Sequence, residues 1–126
     1  MKRMLLSALL AIASSSAFAG AGYMCEGDGV NIHIPLGASV GLSPLGVTID
    51  VTGQVYSTDP GVGTAIVVSE AMSEGNKVMI DLANESYETV VARIRIFWAE
   101  EESDLVYGGI LAIVGKGAWA ITCSVG

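Results

Sequence analysis

Two cysteines, Cys25 and Cys123, stand near the two ends of the segment that follows Ala19. In an exported chain such a pair is expected to be oxidised to one structural disulfide. The missing C-x-x-C spacing argues against thioredoxin-like exchange. His33 is the single histidine, so a histidine-assisted nucleophile would have to use it, and it falls on the polar side of an alternating segment. The run Gly41-Leu42-Ser43-Pro44-Leu45-Gly46 has the wrong spacing for a nucleophile elbow. Gly61-Val62-Gly63 lacks the strand-turn-helix setting of a dinucleotide site. One histidine and two paired cysteines do not make a zinc site. Glu100-Glu101-Glu102-Ser103-Asp104 and Glu26-Gly27-Asp28 offer oxygens without an EF-hand pattern. No carboxylate pair is singled out for glycoside hydrolysis. The expectation is a non-enzymatic protein with no cofactor and no metal.

Arg93 and Arg95 carry more information. A spacing of two on a strand places both guanidinium groups on one face, and Phe97 shares that face. Two arginines beside an aromatic ring form a candidate binding surface for an anion or carboxylate. The competing use is cross-strand pairing with the protein's own acids, such as Asp81 or Asp50. Trp98, at the next position, is expected on the opposite, core-facing side.

Residues 1–19 read MKRMLLSALLAIASSSAFA: two basic residues, a short apolar run, small polar residues, then Ala17-Phe18-Ala19. That order is expected of a signal peptide cleaved before Gly20. It predicts a periplasmic or secreted product, with residues 20–126 forming a single domain. Four basic residues then face thirteen acids, which leaves a net charge of −9. Such acidity argues against nucleic acid and against anionic membranes, and suits a cationic partner or plain solubility. The later apolar runs are short and interrupted by glycine and Lys116, so no membrane insertion is expected.

The elements that must position these groups show a period of two. Val30, Ile32, Ile34 and Leu36 share one face, and Pro35, which can donate no ladder hydrogen bond, places the end of this strand at an edge or out of the sheet. Val47 to Val55 alternates, with Gly53 expected as a bulge or bend. Ala65 to Val68 reads as a buried strand, Glu70 to Asn76 could hold a helical turn, and Val78, Ile80 and Leu82 alternate again. Val90, Ala92, Ile94, Ile96 and Trp98 form the clearest apolar face, followed by an acidic loop at Glu100–Asp104. Leu105–Val114 and Ala118–Cys123 supply the last strands, joined by a hairpin at Gly115-Lys116-Gly117. The sum is an all-β domain of about seven antiparallel strands, a small barrel or sandwich. A bridge between Cys25 and Cys123 would hold its first and last strands together and favour a closed or nearly closed sheet.

Tyr23-x-Cys25-x-Gly27 followed by a strand, with Cys123 on the terminal strand, resembles the two ends of the small periplasmic inhibitors of C-type lysozyme. The resemblance implies a small antiparallel barrel that blocks a cationic lysozyme. The family's central Ser-Gly loop and its Phe-Trp-x-Lys-Gly segment have no counterpart here, since Phe97-Trp98 is followed by Ala99-Glu100. No inhibitory residue is carried over. The leading expectation is an exported β domain that binds a protein or small ligand. The alternatives are a periplasmic lysozyme inhibitor and an envelope structural subunit that self-associates through a strand edge.

Overall fold

The computed structural model describes residues 21–37 and 42–126. The expected export segment, 1–19, and part of the Gly37–Gly46 connection lie outside the described residues. The described chain is all β. Its strands are β1 (Gly22–Gly27), β2 (Val30–Pro35), β3 (Thr48–Val51), β4 (Gln54–Ser57), β5 (Thr64–Ala65), β6 (Val67–Glu74), β7 (Lys77–Ala83), β8 (Val90–Glu101), β9 (Asp104–Ile113) and β10 (Gly117–Val125). They form one sheet in the order β5-β4-β3-β2-β1-β10-β9-β8-β7-β6.

The two terminal strands of that order, β5 and β6, are separated in the chain by Ile66 alone. Two peptide steps span at most about 7 Å, so the ends of the sheet must meet. The sheet is therefore curled into a nearly closed barrel. Ile66 lies buried at the seam, and its N–H donates to the Ser57 carbonyl oxygen at 3.1 Å. The pair β4–β5 is parallel and the other pairs are antiparallel.

Ten strands replace the expected seven, for local reasons. Gly22–Gly27 forms a strand because it pairs on both sides, with β2 and with β10. The segment Val47–Val55 is two strands: Thr52 (φ 48°) and Gly53 (φ 91°) make a two-residue hairpin turn, so of the two expectations for Gly53 the bend holds and the bulge does not. Ala65–Val68 is cut at the seam into β5 and the start of β6. The expected helical turn at Glu70–Asn76 is mostly β6, paired with β7 down to Glu74↔Lys77. The acidic loop is the tip of a long hairpin, with Glu100↔Leu105 and Glu101↔Asp104 paired and only Glu102-Ser103 turning.

Alternation decides the inside. Val30, Ile32 and Ile34 of β2, Ile49 and Val51 of β3, Val78, Ile80 and Leu82 of β7, and Ile94 and Ile96 of β8 are all buried. Leu111 of β9 and Ile121 of β10 complete the filling from the remaining strands. Each such side chain contributes about 1.5–3 kcal/mol on full burial. At one end of the barrel Tyr107 meets Tyr23 and Trp98, each with ring centroids 6.0 Å apart. Pro35 pairs with Gly22 of β1, beyond the stretch of β2 that pairs with β3, so its missing N–H interrupts no β2–β3 ladder bond.

Cys25 and Cys123 are direct cross-strand partners on β1 and β10, with Cα atoms 4.0 Å apart, and form the disulfide. The bridge joins residues 98 apart in sequence. It clasps the strands that link the first half of the sheet to the second. Cross-linking a loop of that length stabilises by about 4–5 kcal/mol on the chain-entropy account. A structural disulfide is consistent with an oxidising compartment.

Candidate functional site

The outward positions of the same strands line up across the barrel in rows. One row runs Lys77–Phe97–Gly108–Thr122–Glu26–Asn31–Asp50–Val55, and a neighbouring one runs Met72–Met79–Arg95–Ile110–Ala120. These rows set out two surface depressions.

The first lies on the outer face of β8 and β9 and measures about 490 Å³. Phe97, Val106 and Ile110 provide its apolar walls, and Gly108 leaves room beside the Phe97 ring. Phe97 is 43% exposed and Val106 64%. Asn76 fixes this stretch of β8 from the β6–β7 hairpin. Its side-chain Nδ2 donates to the Trp98 carbonyl oxygen at 3.0 Å, and the Trp98 N–H donates to the Asn76 carbonyl oxygen at 3.1 Å. Trp98 itself turns inward and packs against the core, as alternation requires. Beyond it, residues 99–106 are exposed on both faces, so the β8–β9 hairpin projects past the barrel wall.

Arg93, Arg95 and Phe97 share this outer face. Arg95 is already engaged. Its guanidinium donates from NH1 to Asp81 Oδ1 at 2.9 Å and from the same nitrogen to the Ile94 carbonyl oxygen at 3.0 Å. Arg93 is exposed and stands opposite both Asp81 and Ala112 in register, with no ion pair within 4 Å among the described residues. The structure thus brings the three together on one face but directs Arg95 toward an internal acid.

The second depression, about 480 Å³, lies over β10, β1, β2 and β3. Glu26, Asn31 and Asp50 come from one outward row, and Met24, His33 and Thr48 from the next. Cys25, Ile32 and Cys123 lie beneath it, with their side chains packed on the core side of the sheet. Asp50 Oδ1 accepts the Gly53 N–H at 3.1 Å, which ties the groove wall to the β3–β4 turn. Thr48 Oγ1 and Ser57 Oγ lie 2.9 Å apart in a hydrogen bond. His33 is exposed in this wall. Sequence reasoning missed this groove because its members come from four strands and meet only through register. Their outward positions in alternating segments were the available signal.

Among the described residues no three His, Cys, Asp or Glu side chains converge in a way that could hold a metal ion. Burial, and secondarily the charge of Tyr107, raises the pKa of the Tyr23 phenol above its ordinary value of 10.0. The Tyr56 hydroxyl is buried on β4 without a hydrogen-bond partner among the described residues. No family model, curated protein or solved structure matches the chain.

Proposed function

We propose that this protein is an exported, non-enzymatic binding domain that docks a protein partner on the outer face of β8 and β9. The observation that carries the reading is the exposed apolar depression around Phe97, Val106 and Ile110. Exposed aromatic and aliphatic side chains around a concavity are the usual anchor points of a protein interface. The barrel interior supports an outside mode of binding, because branched aliphatic side chains fill it. The outer rows carry Glu70, Lys77, Asp81, Arg93 and Arg95, the inverse of a lipid-facing barrel with a polar lumen. The excess of acids favours a cationic partner over an anionic ligand, which would have to compete with Asp81 for Arg95.

The test is capture from periplasm or culture medium with oxidised protein, comparing wild type with Phe97→Asp. A partner retained by wild type and lost by the variant supports the reading. Equal retention by both removes it.

A second reading, inhibition of a C-type lysozyme, draws support from the nearly closed barrel with disulfide-joined first and last strands. Inhibition of hen-type lysozyme by the oxidised protein would favour it, and full lysozyme activity at molar excess would eliminate it. Concentration-dependent oligomers in light scattering would favour an envelope subunit instead.

A further inference from the structure

The groove over β10, β1, β2 and β3 differs in chemistry from the Phe97 depression, and its composition specifies a kind of occupant. Glu26 and Asp50 flank Asn31 in register. Neighbouring strands lie about 4.8 Å apart, so the two acidic positions are roughly 10 Å apart across the groove. Neither has an ion pair within 4 Å among the described residues. Residues 22–65, which build β1 to β5, contain no Lys or Arg, so this half of the barrel has no strong cation of its own to offer them. Met24, 59% exposed, gives the groove an apolar wall. Asn31 and Thr48 add hydrogen-bond acceptors.

Acids at the sides, hydrogen-bond acceptors between them and an exposed thioether match one class of group. That group is a long side chain with an apolar stem and a cationic head. We propose that this groove receives a Lys or Arg side chain of a protein partner. The inference rests on the reading that the partner docks at Phe97, because one outward row, Phe97–Gly108–Thr122–Glu26–Asn31, runs continuously from that depression into the groove. Three strand steps separate Phe97 from Glu26, roughly 15 Å along the surface. The partner therefore presents an apolar anchor and a basic side chain at about that spacing.

The probe is N-acetyl-L-arginine amide, titrated into the oxidised protein and followed by amide and imidazole NMR shifts. Its neutral counterpart, N-acetyl-L-citrulline amide, is the control at matched ionic strength. The arginine compound should shift Glu26, Asn31, Asp50 and the His33 ring, and the citrulline compound should not. The double variant E26Q/D50N should weaken arginine binding about fivefold to tenfold, the range expected from two exposed ion pairs. Asn at position 50 keeps an oxygen for the Gly53 N–H, so the turn is preserved. Equal shifts with citrulline, an unaffected E26Q/D50N variant, or shifts centred on Glu100–Asp104 would overturn the inference. Partner capture lost with Phe97→Asp but kept with E26Q/D50N would also overturn it while leaving the docking reading intact. Arginine binding lost with E26Q/D50N, beside capture unaffected by Phe97→Asp, would support the groove and remove the docking reading.

Discussion

The two halves of this barrel are built differently. From β1 to β5 the strands run two to six residues, while β6 to β10 run seven to twelve. All four basic residues that follow Ala19 (Lys77, Arg93, Arg95 and Lys116) belong to the second half. The long strands make long ladders: β8 and β9 stay paired from Ala92↔Ile113 to Glu101↔Asp104. The short ones make few, with four pairs between β2 and β3 and two between β4 and β5. The difference teaches where covalent help is needed. A half with short ladders holds its register through its attachments, and the disulfide is placed on β1, where that half joins β10. The same asymmetry divides the surface, giving an apolar face beside Arg93 and Arg95 on one side and an acidic groove on the other.

The largest effect should come from the disulfide. Replacing both cysteines by alanine is expected to lower stability by about 4–5 kcal/mol in urea unfolding. Amide exchange should quicken first in β1–β4 and least in β8–β9. Uniform acceleration across both halves would break the comparison.

Gly109 probes the long-strand half. It sits between Ile96 and Ile121 in register, and a Cβ there would run into the Arg95 backbone carbonyl. Gly109→Val should cost about 1–3 kcal/mol by forcing the strands apart. A thermal midpoint unchanged from wild type would show that the close approach of β8 and β9 is not needed. Tyr56 probes the short-strand half. Its buried hydroxyl has no partner among the described residues, so Tyr56→Phe should raise stability by about 1 kcal/mol. A loss of stability would show that the hydroxyl is satisfied by water.

The smallest effect concerns Tyr23, which packs beside Tyr107 where the halves meet. Its folded pKa lies above 10.0. The unfolded chain therefore releases this proton first as pH rises. The associated stability is complete below pH 10 and is lost as pH climbs through the higher folded value. Tyr23→Phe should flatten the alkaline limb of a stability–pH curve, and an unchanged limb would refute the assignment.

Much of the interior was legible from alternation alone. The faces Val30-Ile32-Ile34 and Ala92-Ile94-Ile96 are buried as their period requires, and the two cysteines meet where their positions near the chain ends suggested. What escaped has a physical reason in each case. β6 pairs on one edge only and is largely exposed along its second half, so its sequence carries no clean alternation. Residues 99–106 project as a ribbon with no buried side, which made a paired segment look like an acidic loop. Thr52 adopts a positive φ that its residue type does not advertise. The candidate surfaces depend on register across strands distant in sequence. The Arg–Phe face lies on one strand and could be read directly, whereas the Glu26–Asp50 groove could not.

The most direct measurement of the central claim is photocrosslinking from single positions on the folded, oxidised protein. A photoreactive residue at Phe97 should yield a discrete adduct with a protein from periplasm or medium. The same group at Val114, which is 49% exposed but lies outside the depression, should not. Matching adducts from both positions, or none from position 97, would contradict docking on the β8–β9 face.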